Sequence, residues 1–366
     1  MKILVLANFG MGLYNFRKEL LEELIKQDHE VYISLPNDEY VPRLESLGCK
    51  FIHTPVSRRG TNPLTDLKLL INYTKNIKSI KPDVVLTYTI KPNVYGGLAC
   101  RLTNVPYIAN ITGLGTAVEN GGLLQKITLL LYKISLKKAK CVFFQNKENK
   151  EFLTKKKNIV GDNHKVLPGS GVNLNHYNIL DYPSEGTINF LYISRVMKEK
   201  GIDQYLEAAT YIKRKYPNTV FHIVGFCEDE YEDKLKEMQD RGIIKYHGKQ
   251  NDVRDFYKIS HCTIHPTYYP EGMSNVLLES AASGRPIITT NRSGCREIVD
   301  NNKNGYLVQP LSSKDLIKKI DSFLSLDQAS KKQMGLFGRL KVVEEFDRQI
   351  VVTSYIQEIY NISKHK

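Results

Sequence analysis

The chain has 366 residues, of which 42% are hydrophobic and 25% are charged, and its formal net charge is +13. These proportions exclude a disordered chain, and the length allows two domains of ordinary size. Residues 1–180 carry 25 Lys and Arg against 14 Asp and Glu, a net charge of +11, which leaves +2 for the rest. The first half therefore faces an anionic partner: a nucleic acid, an anionic membrane surface or a diphosphate-bearing substrate.

The sequence shows no sign of secretion or of a membrane span. Its six cysteines contain no Cys-x-x-Cys pair, which fits a reducing cytoplasm and predicts neither a zinc site nor a redox motif. The apolar run Met1–Ala7 is too short for a signal peptide, and no run reaches the roughly 20 apolar residues of a membrane-spanning helix. We expect a cytoplasmic protein, peripheral on the inner face of the cell membrane.

Short apolar runs alternate with amphipathic segments along the first half, which predicts a parallel sheet covered by helices. The predicted strands are Ile3–Ala7, Glu30–Leu35, Phe51–Pro55, Val84–Tyr88, Tyr107–Ile111 and Cys141–Gln145. The predicted helices are Tyr14–Lys26, Asp66–Ile80, Tyr95–Leu102 and Leu123–Lys138.

The first strand runs into a loop that contains Gly10 and Gly12. The loop lacks the third glycine of a dinucleotide fingerprint. Its small residues let a ligand approach the backbone, so Gly12 is a candidate donor-binding residue; the alternative is a simple strand-to-helix turn.

Polar, proline-containing sequence over residues 173–185 marks a domain boundary, and a second alternating series follows. Its predicted strands are Ile188–Ser194, Val220–Val224, Ile244–His247, Cys262–His265, Pro286–Thr289 and Gly305–Val308. Its predicted helices are Ile202–Lys215, Tyr231–Arg241, Ser274–Ser283, Ser312–Leu326 and, after the sheet, Gln349–Ser363. We expect two Rossmann-like domains, 1–180 and 181–345, followed by a helical segment, 346–366.

Two cations follow the first strand of the second series. Arg195 and Lys200 lie five positions apart, at the strand end where ligands of such sheets bind. Arginine offers a planar fork of donors and lysine a mobile charge, so together they can neutralise a leaving diphosphate. The alternative is a solvated loop that binds nothing.

Two glutamates bracket the start of a predicted helix. Ser274 is a suitable N-cap residue, which places Glu271 in the preceding loop and Glu279 inside the helix, eight positions later. A helix N-terminus favours phosphate, and the carboxylates can hold hydroxyls on either side of it. The alternative is that Glu271 only complements the helix dipole and Glu279 is solvated.

Taken in order, these motifs resemble glycosyltransferase family 4, whose members are retaining enzymes of the GT-B architecture. The resemblance covers most of the chain. It is carried by Ser194-Arg195, Lys200-Gly201, Val224-Gly225, Pro270-Glu271-Gly272, Glu279, Gly284-Arg285-Pro286 and Gly294–Val299. It implies an α/β fold with two Rossmann-like domains facing across a cleft, and a C-terminal helix that crosses back to the first domain.

The resemblance also implies roles for individual residues. Arg195 and Lys200 bind the donor diphosphate, Glu271 contacts the donor sugar, and these three form the expected catalytic group. Glu279 holds the ribose. Backbone groups near the helix start meet the sugar and phosphates, at Gly272, Met273, Ser274 and Asn275.

The first half resembles enzymes that extend a lipid-linked sugar in capsule, O-antigen or related glycan assembly. The supporting segments are Tyr14–Arg17, Thr89–Asn93, Gly96-Gly97 and Ile111–Gly115. We therefore expect Tyr14, Arg17 and Lys91 to bind the acceptor.

One departure from the family pattern concerns the loop after Tyr107–Ile111. Many family members have a histidine there, whereas this chain has Thr112-Gly113. No residue of this chain obviously replaces the histidine in its usual contact with the donor sugar. Glu119 is a candidate replacement that we do not favour.

The segment Leu123–Lys140 combines leucines and isoleucines with five lysines and no acidic residue. It predicts an amphipathic helix on an anionic bilayer surface. The alternative is a helix that packs its leucines into the first domain and leaves its lysines in water.

The leading prediction is a retaining transferase that moves a hexose or N-acetylhexosamine from a nucleoside-diphosphate sugar, most simply UDP-linked, to a polyprenyl-diphosphate-linked saccharide. No Asp-x-Asp occurs in the sequence, so we expect no metal ion and no cofactor. The alternatives are a UDP-sugar epimerase of similar architecture and a basic nucleic-acid-binding protein. The latter lacks a groove-reading motif or interleaved aromatic platform, so we expect no nucleic-acid partner.

Overall fold

The computed structural model describes residues 1–57, 60, 62–115, 118 and 121–364. The chain forms two compact units, each built on one parallel sheet. The first unit comprises Met1–Gly171, Pro270–Met273 and Arg348–Lys366, and the second comprises Val172–Tyr269 and Ser274–Asp347. The boundaries predicted at residues 180 and 345 stay predictions.

The first unit contains a seven-stranded parallel sheet in the order β3-β2-β1-β4-β5-β6-β7. Its strands are β1 Lys2–Leu6, β2 Glu30–Leu35, β3 Lys50–His53, β4 Val84–Tyr88, β5 Tyr107–Ile111, β6 Cys141–Phe144 and β7 His164–Val166. The six predicted strands are confirmed with small shifts at their ends. The short edge strand β7 was not predicted, because its three residues include no buried apolar run.

Helices cover this first sheet. They are α1 Gly10–Lys26, α2 Val41–Ser46, α3 Pro63–Ile80, α4 Gly97–Thr103, α5 Gly122–Leu136 and α6 Lys147–Glu151, with a π-helical turn, Pro92–Gly96, leading into α4. Strand β1 shows why the layers form, since Ile3 and Val5 join the core on one face while Leu4 and Leu6 join the core on the other. A strand buried on both faces is continuously apolar, as in β1.

The second unit contains a six-stranded parallel sheet in the order β10-β9-β8-β11-β12-β13. Its strands are β8 Ile188–Ile193, β9 Thr219–Val224, β10 Ile244–Tyr246, β11 Cys262–His265, β12 Ile287–Thr290 and β13 Gly305–Val308. Its helices are α7 Ile202–Lys215, α8 Glu232–Asp240, α9 Arg254–Ile259, α10 Asn275–Ala282, α11 Ser313–Leu324 and α12 Gln328–Glu345. The order of these six strands is the Rossmann order, and the first six strands of the first unit follow the same order.

The long helix α12 was not predicted, because Gly335 and Gly338 interrupt its apolar pattern and glycine disfavours a helix interior. Tertiary packing explains Gly335, because a Cβ there would lie 2.1 Å from the carbonyl oxygen of Gly284. A Cβ on Gly338 would make an ordinary contact with Ala281 at 3.6 Å. Gly335 therefore lets α12 approach the segment that follows α10, and packing overrides the local preference at that position.

The C-terminal helix α13, Arg348–Lys364, belongs to the first unit. Its Tyr355 is fully buried, with its ring 4.6 Å from that of Phe143 on β6. At its start, Arg348 donates to the Glu19 carboxylate at 2.9 and 3.0 Å and to the carbonyl of Gly171 at 3.1 Å. The return of the C-terminal helix to the first domain, which the resemblance implied, is therefore confirmed.

Candidate active site

Arg195 and Lys200 lie just after β8, at the carboxyl end of a central strand of the second sheet. Both cations lie over one aromatic ring. The Arg195 guanidinium carbon is 5.6 Å from the Tyr269 ring centroid, and the Lys200 Nζ is 4.6 Å from it. Arg195 also forms an ion pair with Glu228. Sequence spacing placed the two cations near each other but did not point to Tyr269 or Glu228.

Backbone hydrogen bonds hold this cationic turn in place. Lys198–Lys200 forms a single 3-10 turn, and the carbonyl of Glu199 accepts from the backbone N–H groups of Tyr268 and Tyr269 at 2.9 Å each. The Tyr192 hydroxyl donates to the carbonyl of Lys200 at 3.3 Å. The strand end, the turn and the loop after β11 are therefore tied together.

The helix after the Glu271 loop begins as predicted. Helix α10 starts at Asn275, and Ser274 is its N-cap residue in an extended conformation, although the Ser274 side chain makes no capping bond. The Ser274 backbone N–H instead donates to the carbonyl of Gly294 at 2.8 Å. The side-chain oxygen of Asn275 is buried and lacks a hydrogen-bond partner among the described residues. An unsatisfied buried oxygen at a helix start needs a donor from elsewhere.

Glu279 lies on α10 and is held by a buried tyrosine. The Tyr257 hydroxyl donates to the Glu279 carboxylate at 3.2 Å and to the carbonyl of Val276 at 3.1 Å. Burial, with Glu279 adding to it, raises the pKa of Tyr257 well above its usual value, so the hydroxyl stays protonated. Tyr257 therefore orients the carboxylate expected to hold the ribose, and sequence reasoning missed it.

The segment Pro270–Met273 clusters with the first unit. The Asn146 side chain, which follows β6, donates to the carbonyls of Gly272 and Glu271 at 2.7 and 3.2 Å. A Cβ on Gly272 would lie 2.0 Å from the carbonyl oxygen of Thr112, which follows β5. Only glycine permits this approach, which brings the Glu271 loop to the carboxyl edge of the first sheet. Nothing in the local pattern of Asn146 indicated this contact.

The glycine loop predicted after β1 is not a loop. Helix α1 already begins at Gly10, whose N–H donates to the Asp38 carboxylate at 2.6 Å. Gly12 lies in the first turn of α1, where a Cβ would be 2.8 Å from the Phe9 ring. The prediction that the helix starts at Tyr14 is wrong, because two glycines masked a helix that tertiary contacts support. Donor binding by Gly12 stays a prediction.

The three expected acceptor residues lie in different surroundings. Lys91 forms an ion pair with Asp66 on α3 at 2.7 Å, and the Tyr95 hydroxyl donates to the same carboxylate at 2.9 Å. The Tyr14 ring lies 5.8 Å from that of Tyr40. The structure therefore shows Lys91 already bound to a carboxylate that the sequence reading did not connect with it.

Arg17 is only 4% exposed. Its guanidinium carbon lies 5.1 Å from the Tyr88 ring centroid and 5.9 Å from that of Tyr355. Its Nε has no hydrogen-bond partner among the described residues. The buried guanidinium contacts a ring on β4 and a ring on α13, and acceptor binding by Arg17 stays a prediction. Glu119, the candidate replacement for the family histidine, lies outside the described residues.

Helix α5 presents an apolar stripe to solvent. Leu123, Ile127, Leu130 and Ile134 recur at helical spacing and are 74%, 47%, 57% and 41% exposed. The alternative, in which these side chains pack into the first domain, is therefore wrong for this stripe, whereas Thr128, Tyr132 and Leu136 are buried. Among the described residues, no helix has the length and apolar content to cross a membrane.

The described residues offer no arrangement typical of a metal site. No group of three His, Cys, Asp or Glu side chains there is arranged to hold a metal ion. The absence of a metal requirement stays a prediction.

Comparison with known proteins follows the division of the chain. The family model described as Glycosyl transferase 4-like matches residues 2–146, and the model described as Glycosyl transferases group 1 matches residues 182–340.

Two similar relatives are bacterial transferases. N,N'-diacetylbacillosaminyl-diphospho-undecaprenol alpha-1,3-N-acetylgalactosaminyltransferase of Campylobacter jejuni is 28% identical over 98% of both chains. UDP-Gal:alpha-D-GlcNAc-diphosphoundecaprenol alpha-1,3-galactosyltransferase of Escherichia coli is 28% identical over 74% of this chain and 72% of its own.

Among solved structures, a glycosyltransferase from Rickettsia africae superposes with a TM-score of 0.81 and 22% identity, covering 100% of this chain and 99% of its own. This likeness shows a shared GT-B fold. With a glycosyl transferase 4-like first domain and a group 1 second domain, the chain is a glycosyltransferase of the family 4 type.

Proposed function

We propose that this glycosyltransferase moves a hexose or N-acetylhexosamine from a UDP-sugar to a saccharide carried on a polyprenyl diphosphate, with retention at the anomeric carbon. The observation that carries the proposal is the convergence of Arg195 and Lys200 on the Tyr269 ring at the carboxyl end of β8. Two adjacent cations at that strand end suit a diphosphate.

The nature of the acceptor and donor is supported by the two bacterial relatives. The printed name of the first includes a diphospho-undecaprenol saccharide, and that of the second includes both UDP-Gal and a diphosphoundecaprenol saccharide. Both names describe alpha-linked products. We carry the lipid-diphosphate acceptor and the UDP donor to this chain as parts of the proposal.

In the proposed reaction, an acceptor hydroxyl oxygen bonds to the anomeric carbon as the bond from that carbon to the diphosphate breaks. The electron pair leaves with the diphosphate oxygen, where Arg195 and Lys200 stabilise the developing negative charge. The hydroxyl proton passes to that oxygen on the same face of the sugar.

The remaining donor contacts follow from the second unit. The N-terminus of α10 faces the phosphates with its free N–H groups, and a donor hydroxyl satisfies the buried side-chain oxygen of Asn275. Glu279, oriented by Tyr257, accepts from the ribose hydroxyls. Glu271 contacts the transferred sugar.

Helix α5 supports a site of action at the bilayer surface. Its exposed apolar stripe is flanked by Lys126, Lys133 and Lys137, and residues 121–147 contain no acidic residue. A helix with these properties lies in the interface of an anionic membrane. We infer peripheral binding at the face where the lipid-linked acceptor is presented.

The donor assignment is tested by titrating UDP-sugars into the protein. Arg195→Ala and Lys200→Ala should each weaken binding at least tenfold, because each removes a charge-assisted contact to the diphosphate. Lys198→Ala is the matched control, since Lys198 is an exposed cation of the same turn. Equal affinity in all three variants would overturn the proposal.

A second arm separates transfer from epimerisation. Incubation with a UDP-sugar alone should release no new sugar nucleotide, whereas addition of a polyprenyl-diphosphate saccharide should produce UDP and an extended lipid. A new UDP-sugar formed without acceptor would favour the epimerase.

Membrane binding is tested with anionic phospholipid vesicles. Leu130→Glu should reduce co-sedimentation severalfold, because it places a charge in the apolar stripe. Leu340→Glu is the matched control, since Leu340 is similarly exposed, at 62%, but lies on α12. Equal losses in the two variants would contradict a role for α5.

A further inference from the structure

The ring of Tyr269 lies under both proposed donor cations, 4.6 Å from the Lys200 Nζ and 5.6 Å from the Arg195 guanidinium carbon. We propose that Tyr269 is a positioning residue that holds these two cations at a fixed separation for the donor diphosphate. The inference rests on the proposed function, because it assigns the same two cations to that ligand.

Electrostatics explains why a ring is needed there. Two cations held close together repel each other, and Lys200 is only 8% exposed, so water screens its charge poorly. The face of an aromatic ring carries negative charge density and attracts cations within about 6 Å of its centroid. A ring shared by both offsets part of their repulsion without adding a further carboxylate to Glu228, since each carboxylate there repels the incoming phosphates.

The ring is itself fixed to the cationic turn. The Tyr269 N–H donates to the carbonyl of Glu199, the residue before Lys200, at 2.9 Å. It also approaches the hydroxyl oxygen of Thr267 at 3.2 Å, and that hydroxyl donates to the same Glu199 carbonyl at 3.3 Å. The loop after β11 is therefore tied to the turn after β8, and the ring and Lys200 project from linked segments of backbone.

Arg195 has a second partner besides the ring, the carboxylate of Glu228. This carboxylate forms an ion pair with Arg195. The ring gives the guanidinium a second contact, 5.6 Å from its centroid, which restricts the paired arginine further. Without the ring, Arg195 gains rotamers that point away from the diphosphate, and ordering it again weakens binding.

This arrangement predicts a loss confined to the phosphate part of the ligand. We would titrate UDP and uridine separately into the wild type and into Tyr269→Leu, by calorimetry. UDP affinity should fall about fivefold to thirtyfold in the variant, on the scale of a partly desolvated cation–π contact. Uridine affinity should stay within twofold, because uridine carries no phosphate.

Two further variants make the test specific. Tyr269→Phe keeps the ring and should restore UDP affinity to within about threefold of wild type. Tyr268→Leu is the matched control, since Tyr268 also donates its N–H to Glu199 and no cation lies over its ring among the described contacts. Tyr268→Leu should leave UDP affinity unchanged. Should Tyr269→Leu fail to fold, Tyr269→Gln replaces it, as a side chain of suitable length without a ring.

Turnover provides the second readout. With saturating acceptor, Tyr269→Leu should raise the KM for the UDP-sugar and lower kcat, because the same cations stabilise the leaving diphosphate. Unchanged UDP affinity in Tyr269→Leu overturns the inference. Equal losses for UDP and uridine also overturn it, since they indicate a general structural role. Absence of UDP binding in the wild type would instead overturn the proposed function itself.

Discussion

Two groups of predicted site residues differ in the partners that the structure gives them. One is the proposed donor group of the second unit and the other is the expected acceptor group of the first, and both were predicted from short sequence motifs. Arg195 and Lys200 meet on one ring, and Tyr257 orients Glu279. Lys91, in contrast, is paired with Asp66, and Arg17 is buried against two tyrosine rings. Short spacing predicts that Arg195 and Lys200 share one turn, but it does not predict the ring on which they meet. The partners of the acceptor residues likewise lie elsewhere in the sequence, and they occupy the side chains that were expected to bind the acceptor.

The largest expected effect tests the donor side. Lys200→Ala should reduce kcat about 100- to 1,000-fold, because it removes a cation placed to stabilise the leaving diphosphate. Steady-state turnover of a UDP-sugar with saturating lipid-linked acceptor measures it. Lys198→Ala, in the same turn, should retain nearly full turnover. A similar loss in both variants would remove the contrast between the two regions.

The second effect tests whether Lys91 is structural. Its ammonium and the Asp66 carboxylate are 15% and 12% exposed. Asp66→Asn should therefore lower the free energy of unfolding by about 3 kcal/mol, since it leaves a nearly buried cation without its carboxylate. Urea unfolding followed by circular dichroism measures the change.

The control for this prediction is Glu30→Gln. Glu30 pairs with Lys50 at the surface of the same unit, and its loss should leave the unfolding midpoint nearly unchanged. If Lys91→Met raises only the acceptor KM and leaves stability intact, Lys91 acts on the acceptor and the acceptor side resembles the donor side.

The third effect is a pH dependence in the second unit. Burial, reinforced by positive charge at His247 and Lys245, lowers the pKa of His222 from 6.5 to about 4. The unfolded chain then binds the additional proton at higher pH than the folded protein does. Stability should be complete above pH 6.5 and fall by about 2–3 kcal/mol as the pH drops towards 4.

Chemical denaturation between pH 4 and 7 tests this expectation. His222→Gln should reduce the dependence in that window, and the remainder should come from histidines whose pKa burial also lowers, such as His247 and His261. His53→Gln, at an exposed position on β3 of the first unit, should leave the curve as in the wild type. A wild-type curve that is level through the window would contradict the prediction.

The smallest effect concerns Glu279. Tyr257→Phe removes the hydroxyl that donates to its carboxylate at 3.2 Å. The KM for the UDP-sugar should rise about fivefold, as expected for the loss of one hydrogen bond to a charged group. Tyr205→Phe is the control, because the Tyr205 hydroxyl bonds only to backbone carbonyls, those of Phe190 and His222, among the described contacts. A KM change of equal size in the control would show that any buried tyrosine hydroxyl has this effect.

Much of the fold was predictable, because buried parallel strands are continuous apolar runs. Strands such as Val84–Tyr88 and Gly305–Val308 were predicted with the bounds that the structure shows. Helices α1 and α12 were misjudged for one reason: glycines at Gly10, Gly12, Gly335 and Gly338 oppose helix formation locally. Close packing against residues distant in the chain explains two of them, since a Cβ would meet Asp38 at Gly10 and the carbonyl of Gly284 at Gly335.

The sequence by itself determined the two alternating series, the cationic turn after β8 and the start of α10, since each depends on residues within a few positions of one another. Tertiary structure alone decided that Tyr269 lies beneath both cations, that Asp66 neutralises Lys91, and that Asn146 holds the Glu271 loop. Lys91 and Asp66 are 25 positions apart, and Asn146 and Glu271 are 125 positions apart. Only the packing of complete sheets brings such segments together, because no local pattern specifies which strand ends become neighbours.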